Sequence, residues 1–273
     1  TTNSEGLRER KNYNSLDNSI IFLGDSVIEG MVNDGETIDE HFEKLSNITS
    51  LNYGLGSSNT IHEYFYLKGK YRDQYNASIV ILGICVNDIK QNNFLRAFNK
   101  EIGNWELYKY VEKPKQISEE NKTPFNLRSL LEYSRVVMFT YSSVKELFAD
   151  TQNYSKAHLS ENFSNEEIQN TIGYVEKMKD FLDSKNIELY VTIFPTRDQI
   201  ESNNLHLGIQ GKLESSLIKQ NINVINIDKN LILISKEEGL DRIWLDNIHL
   251  KSNGNKVVAD SIYTHLKENK DRL

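Results

Sequence analysis

The chain has 273 residues, and its content of 38% hydrophobic and 10% aromatic residues is enough to build a sizeable core. With 32 basic and 39 acidic residues the net charge is −7, which disfavours nucleic acid as a partner because nucleic-acid-binding proteins need a basic face. The longest apolar run, residues 77–86, is far shorter than the roughly 20 residues of a membrane-spanning helix, so we expect no membrane span. A single cysteine excludes a disulfide framework and a multi-cysteine metal site.

The N-terminal residues 1–18 are polar and typical of a turn and an extended lead-in. The first residue is Thr rather than Met, so we expect a processed or excised piece of a longer protein. A signal or anchor removed upstream would put the chain at the cell surface or outside the cytoplasm.

The first predicted strand is the apolar, β-branched run 19–23, which ends abruptly at Gly24-Asp25-Ser26. On this segment alone, Ser26 has two equally supported interpretations. It caps the next helix, or its hydroxyl projects beyond the carboxyl end of a parallel sheet, where open α/β folds bind their ligands. A helix at about 36–45 follows, with His41 on or beside its apolar face, and we interpret this histidine as a packing residue.

A very short second strand runs from Leu51 into a loop of small residues that ends at Thr60, and a helix over about 61–75 comes next. The third predicted strand, 78–86, is nearly continuous in apolar residues and ends at Asn87-Asp88. Asn87 can donate through its amide, although asparagine at a strand end is also a common turn former. Cys85 has no positive charge or helix start beside it in the predicted elements, so we expect a buried thiol.

Residues from about 89 to 126 are rich in Asn, Lys and Glu with scattered aromatics, and we predict an insertion that packs on the body of the domain. The alternative is a substrate wall whose aromatics stack on sugar rings. Helices at about 127–147 and 165–184, a fourth strand at 188–194, a helix near 208–219 and a fifth strand at 223–227 follow. This alternation predicts one α/β domain over 1–273, with three α/β/α layers and a parallel, flavodoxin-like sheet of order 2-1-3-4-5. Arg197, just past the fourth strand, is a candidate for binding an anionic or sugar substrate, but an ion-paired arginine is the default.

Asp246 and His249 stand three residues apart near the end of the chain. Within one turn of chain the carboxylate can hold the imidazole tautomer and stabilise its charged form. The alternative is a pair that caps the last helix. An oriented base of this kind is what the hydroxyl of Ser26 lacks.

Taken together, Gly24-Asp25-Ser26, the loop from Asn52 to Thr60, Asn87-Asp88 and Asp246-x-x-His249 resemble the four motif blocks of the SGNH (GDSL-type) hydrolase superfamily. The resemblance spans nearly the whole chain. It is closest to the longer bacterial branch that contains carbohydrate esterases and polysaccharide O-acyltransferase domains, and it includes the opening stretch from Asn3 to Arg8. The elbow G-x-S-x-G is absent, which argues against the α/β-hydrolase family.

The resemblance implies that Ser26 is the nucleophile, that His249 is the general base and then acid, and that Asp246 orients it. This set is what acyl transfer requires, because the hydroxyl needs a base within hydrogen-bond reach. Asp25 is a further candidate, as a substrate-binding residue.

The oxyanion hole implied by the resemblance combines the Ser26 backbone N–H, the Asn87 side-chain amide and a backbone N–H of the loop at Gly56 or Ser57. Ser57 stands where the family usually has a glycine, so its side chain either narrows the hole or adds a hydroxyl. The third block also has more residues between Gly83 and Asn87 than the short family form, which makes Gly83 a strand residue.

Three functions remain open on the sequence. The leading hypothesis is a serine esterase that removes acetyl or another short acyl group from a small-molecule or glycan ester. The second is an O-acyltransferase in which a polysaccharide hydroxyl replaces water, and the third is a non-catalytic glycan-binding module. We predict no cofactor and no metal, because the six histidines are dispersed and no G-x-G-x-x-G fingerprint occurs.

Overall fold

The computed structural model describes residues 8, 18–71, 76–92, 94–99, 104–109, 163–202 and 208–269. The elements in chain order are β1 (Ser19–Gly24), α1 (Ser26–Glu29), α2 (Ile38–Ser46), β2 (Thr49–Gly54), α3 (Thr60–Lys70), β3 (Ala77–Ile84), α4 (Val86–Gln91), β4 (Phe94–Asn99), β5 (Asn104–Lys109), α5 (Asn165–Asp183), β6 (Glu188–Ile193), α6 (Arg197–Ser202), α7 (Ile209–Lys219), β7 (Asn223–Ile225), α8 (Asp228–Glu238), α9 (Leu240–Ile243) and α10 (Ser252–Asn269). The predicted helix at 127–147 lies outside the described residues.

Five strands form one parallel sheet in the order β2-β1-β3-β6-β7, which confirms the predicted flavodoxin-like order. Every residue of β1 is buried, and so is almost all of β3, as expected for central strands that helices cover on both faces. Helix α2 packs against α10, while α3 packs against α5, which gives the three α/β/α layers.

The structure differs from the sequence-based boundaries in several places. The third strand ends at Ile84 and α4 continues to Gln91, so the predicted insertion begins inside a helix. Within that insertion, β4 and β5 pair as an antiparallel hairpin. The fifth strand ends at Ile225, because the chain turns into α8, a helix that the sequence pattern did not reveal. That helix buries only Leu231 and Ser235, so its apolar face is too narrow to recognise by periodicity.

Glycines at the strand ends let the short helix α1 lie directly on the sheet. A Cβ atom at Gly24 would come within 2.5 Å of the Ile28 side chain, and one at Gly83 within 2.7 Å of the same side chain. A Cβ atom at Gly54 would come within 2.1 Å of the backbone nitrogen of Glu29. Gly83 is therefore a strand residue, as predicted, and its role is to make room for α1.

Among the described helices, none combines the length and the apolar character that crossing a membrane requires.

Candidate active site

Ser26 is the first residue of α1, which follows β1, an interior strand of the sheet, after a single residue. The preceding residue, Asp25, caps this helix, because its Oδ1 accepts a hydrogen bond from the Val27 N–H at 2.9 Å. Ser26 is therefore not the cap, and its partly exposed hydroxyl remains available to other groups. Since β1 lies between β2 and β3, the serine stands between two neighbouring strands, at the edge where the parallel strands end.

The structure brings Ser26, His249 and Asp246 together in one chain of contacts. Ser26 Oγ lies 2.9 Å from His249 Nε2, across 223 positions of sequence. On the other side of the ring, His249 Nδ1 lies 2.6 Å from Asp246 Oδ2. With Nδ1–H donating to the carboxylate, Nε2 carries the lone pair that faces the serine hydroxyl.

Asp246 is held by the backbone of its own loop. Its Oδ1 accepts hydrogen bonds from the N–H groups of Ile248 and His249, both at 2.8 Å. Partial burial alone would raise the pKa of the Asp246 carboxyl, but the contact with His249 and these two N–H groups outweigh it and lower the pKa. The carboxylate is thus ionised at neutral pH.

The loop that carries this pair, residues 244–250, closes on itself. Trp244 and Leu250 form an antiparallel bridge, and the Leu245 N–H donates to the His249 carbonyl at 2.9 Å. A Cβ atom at Gly254, in the first turn of α10, would come within 2.7 Å of the Ile243 carbonyl oxygen, so only glycine lets the helix start this close to the loop. The pair does not cap α10, because its carboxylate is used inside the loop.

Arg197 contributes to the position of this loop through its backbone. Its N–H donates to the Asn247 carbonyl at 2.8 Å, which joins the loop to the chain after β6. Its guanidinium pairs with Asp241 at 2.6 Å, and no contact brings it to Ser26. The ion-paired interpretation thus describes the side chain, while binding of substrate by Arg197 stays a prediction.

Asn87 lies on α4, partly exposed, and its amide is oriented by Asp25. The Asn87 Nδ2 group donates to Asp25 Oδ2 at 3.0 Å, and its second hydrogen is left for another acceptor. Asp25 is only 1% exposed, and both of its oxygens accept from protein N–H groups. These contacts turn Asp25 inward, so it orients Asn87 and α1 in the structure and offers no surface to a substrate.

The predicted oxyanion loop is a tight turn from Leu55 to Ser58. The Leu55 N–H donates to the Gly24 carbonyl at 2.9 Å, which fixes the turn to the end of β1, and the Ser58 N–H donates to the Leu55 carbonyl at 3.0 Å. Ser57 has a φ of 64°, in the left-handed region that favours glycine. Glycine would adopt this backbone with less strain than serine does.

Within the described part of the chain, the N–H groups of Ser26 and Ser57 have no protein acceptor. These two N–H groups and the second hydrogen of the Asn87 amide remain candidates for the oxyanion donors that the sequence predicts. Gly56, the alternative donor, is in contact with Glu29, since a Cβ atom there would lie 2.4 Å from Glu29 Oε2.

Sequence reasoning missed several side chains that hold these elements in place. Asn52, inside β2, donates to the Ile28 carbonyl at 2.9 Å and to Asp39 Oδ1 at 2.6 Å, and so ties α1 to α2. Asn52 is fully buried and therefore needs polar partners, but the sequence pattern does not indicate which residues supply them. No three potential metal ligands lie together in the described ranges.

Comparison with known proteins gives matches among solved structures. A member of the lipolytic G-D-S-L family from Veillonella parvula is 14% identical, and the match covers 94% of this chain and 100% of that one with a TM-score of 0.50. A protein described as a GDSL-like lipase from Parabacteroides merdae is 10% identical, with coverage of 95% and 99% and a TM-score of 0.53.

A two-domain esterase active on acetylated mannans is 14% identical, and the match covers 92% of this chain and 48% of that chain with a TM-score of 0.51. No family model matches the chain, and neither does any curated protein. At these identities the likeness is one of fold. In its strand order, its layers and its structural neighbours, this chain has the fold of the SGNH (GDSL-type) hydrolase superfamily.

Proposed function

We propose that this chain is a serine esterase that hydrolyses short acyl esters, with Ser26, His249 and Asp246 as its catalytic triad. The observation that carries the proposal is the unbroken chain of contacts from Ser26 Oγ through His249 to Asp246, at 2.9 and 2.6 Å. Both distances lie within the range that proton transfer and orientation of a base require.

In the acylation step, His249 Nε2 takes the proton of Ser26 Oγ while that oxygen attacks the carbonyl carbon of the ester. The negative charge that develops on the carbonyl oxygen is stabilised by the N–H groups of Ser26 and Ser57 and by the Asn87 amide. His249 then gives its proton to the leaving alcohol oxygen, the ester C–O bond breaks, and an acyl-Ser26 ester remains.

In the deacylation step, His249 accepts a proton from water, and the resulting hydroxide equivalent attacks the acyl-Ser26 carbonyl. The same donors stabilise the second oxyanion. Collapse of the intermediate returns the proton from His249 to Ser26 Oγ and releases the free acid. The ionised carboxylate of Asp246 stabilises the imidazolium form of His249 in both steps.

We further propose a glycan ester as the substrate. Support comes from one neighbour of the same fold, the esterase active on acetylated mannans, and from the resemblance of the motif blocks to carbohydrate esterases. The O-acyltransferase and the non-catalytic glycan-binding module both stay predictions. The acyltransferase would use the same residues and differ only in the acceptor of the acyl group.

The test is release of acid from activated acetyl esters and from acetylated glycans by purified wild type and Ser26→Ala. We expect Ser26→Ala to lower kcat by about 10⁴-fold or more while the protein stays folded. The matched control is Ser252→Ala, which removes a serine hydroxyl that contacts a different histidine, His41, at 3.3 Å. This control should keep wild-type activity.

An equal rate for wild type and Ser26→Ala would overturn the esterase proposal. Formation of an acylated oligosaccharide instead of free acid, when an oligosaccharide is supplied with the acyl donor, would favour the acyltransferase. A folded wild type that releases no acid and whose Ser26 resists an organophosphonate would favour the binding module.

A further inference from the structure

A fully buried carboxyl group lies behind the oxyanion turn and has no part in the triad. Glu63, on α3, is 0% exposed, and its Oε1 accepts a hydrogen bond from the Ser58 hydroxyl at 3.0 Å. Ser58 is itself 2% exposed and closes the turn through its N–H bond to the Leu55 carbonyl. Glu63 therefore holds the residue that follows Ser57.

The position of Glu63 is fixed by the start of its own helix. Its N–H donates to the Asn59 carbonyl at 3.0 Å, and the Asn59 side chain caps α3 by accepting from the His62 N–H at 3.1 Å. The carboxyl group reaches back across this cap to Ser58. Turn and helix start thus form one hydrogen-bonded unit.

Within the described residues, the charged groups that act on Glu63 or Asp88 are acidic. Asp25, at the corner after β1, is 1% exposed, and its charge raises the pKa of the Glu63 carboxyl. Glu63 in turn raises the pKa of Asp88, which lies on α4 and is 0% exposed. Helix α5 packs on α3, and the buried residues of α5, Thr171 and Tyr174 among them, are all uncharged. Within the described ranges, no lysine or arginine bonds to Glu63 or to Asp88.

This environment favours the protonated form of Glu63. Burial raises the pKa of the Glu63 carboxyl well above its usual value, and the charge of Asp25 raises it further, while the Ser58 hydroxyl acts in the opposite direction. Burial raises the pKa of Asp88 as well, and the charges of Asp25 and Glu63 raise it further. Glu63 Oε2 and Asp88 Oδ1 have no hydrogen-bond partner, and a neutral carboxyl tolerates such a site better than a carboxylate does.

We propose that Glu63, in its neutral form, is a positioning residue for the oxyanion hole, because it holds Ser58 and thereby fixes the backbone N–H of Ser57 beside Ser26. The inference rests on the proposed esterase function. It also gives a reason for neutrality, since a carboxylate behind the hole would oppose the negative charge that develops on the substrate oxygen.

The activity test uses Glu63→Gln, Glu63→Met, Ser58→Ala and the double variant Ser58→Ala/Glu63→Met. Glutamine keeps an acceptor for the Ser58 hydroxyl, so Glu63→Gln should keep kcat within about threefold of wild type. Methionine fills the space without an acceptor, so Glu63→Met should lower kcat by about 10- to 100-fold with little change in KM, because a small misplacement of a catalytic donor costs this much. The buried serine Ser261, on α10, provides the control: Ser261→Ala should keep wild-type kcat.

If Glu63 acts through Ser58, Ser58→Ala should resemble Glu63→Met, and the double variant should be no worse than either. The proposal is overturned if Glu63→Met and Ser58→Ala leave kcat unchanged, if their effects multiply in the double variant, or if Glu63→Gln loses as much activity as Glu63→Met.

The protonation state has a test that needs no activity. A carboxyl whose pKa is raised by folding costs the wild type stability as pH rises above its unfolded value of 4.5. The melting temperature of Glu63→Gln should therefore rise relative to that of wild type as the pH increases from about 4.5 to 8. A difference independent of pH would overturn the neutral form, and it would do so even if the wild type proved to have no esterase activity.

Discussion

The serine corner (residues 24–29) and the histidine loop (residues 244–250) differ in the contacts that mainly hold them. The corner is fixed by close packing, because Gly24, Gly54 and Gly83 leave no space between α1 and the ends of three strands. The loop is fixed by hydrogen bonds, both within itself and to Arg197. The nucleophile thus depends on the shape of the sheet edge, while the base depends on polar contacts that one substitution can remove.

The two aspartates of these regions show the same contrast. Asp25 is buried, and burial raises the pKa of its carboxyl despite the hydrogen bonds from Asn87 and Val27. The Asp246 side chain is 40% exposed, and its contacts with His249 lower the pKa of its carboxyl. The buried carboxyl serves geometry, and the half-exposed carboxylate serves the charge of the imidazole.

Among the substitutions that test the contrast between the two regions, the largest effect is expected when the histidine loop loses the charge of Asp246. Asp246→Asn keeps the acceptor for the two backbone N–H groups but presents an amide to His249 Nδ1, which favours the wrong tautomer, so we expect kcat to fall by about 10³-fold. The matched control is Asp241→Asn, which changes an exposed aspartate paired with Arg197 and should keep kcat within about twofold. Equal rates for the two variants would show that Asp246 does not orient the base.

The two regions also differ in how far the sequence revealed them. The strand order was predictable, because apolar runs that end in polar residues mark the strand ends of a parallel sheet. The partners Ser26, His249 and Asp246 were expected from the resemblance of the motif blocks to the SGNH hydrolases. Helix α8 was not predictable, since its apolar face is narrow. The burial of Asp25 was not predictable either, because contacts that only the fold creates decide whether a residue next to the nucleophile faces solvent or protein.

The same reason explains why Glu63 and Asn52 were overlooked. Each is a polar side chain within an amphipathic helix or an apolar strand, and their partners Ser58 and Asp39 are assigned only when turns and neighbouring elements are in place. Composition and periodicity report which residues are buried on average. They do not report which buried polar groups meet.

The packing of the serine corner can be broken directly. Gly54→Ala would force the added methyl group against the backbone of Glu29, so we expect the free energy of unfolding to fall by about 1 to 3 kcal/mol, with a loss of kcat as α1 shifts. The control is Gly173→Ala, in the middle of α5, where a Cβ atom meets nothing within 4 Å. The free energy of unfolding of that variant should rise by up to about 1 kcal/mol, because alanine has the higher helix propensity. A Gly54→Ala protein as stable and active as wild type would contradict the packing role.

The opposite pKa shifts of the two aspartates predict opposite pH dependences of stability. Asp246 has its pKa lowered from 3.8, so the stability it contributes is present above about pH 4 and is lost as pH falls through its folded value. Asp25 has its pKa raised from 3.8, so wild type loses stability as the pH rises above 3.8 toward the folded value.

Thermal unfolding of wild type, Asp246→Asn and Asp25→Asn between about pH 3 and 7 measures this contrast. The advantage of wild type over Asp246→Asn should shrink toward low pH, and its advantage over Asp25→Asn should shrink toward high pH. Parallel curves for the two variants would refute the difference between the regions.

The smallest effect is expected at Ser57, where backbone and side chain can be separated. Serine at a φ of 64° is strained by about 1 kcal/mol, whereas glycine relieves the strain but gains freedom in the unfolded chain, so Ser57→Gly should change the free energy of unfolding by less than about 1 kcal/mol. If the backbone N–H is the oxyanion donor, Ser57→Gly and Ser57→Ala both lower kcat by less than about threefold, because each keeps that group. A loss of about 10²-fold in both variants would instead assign the donor to the Ser57 hydroxyl, and the turn would then serve the serine side chain rather than the position of its backbone.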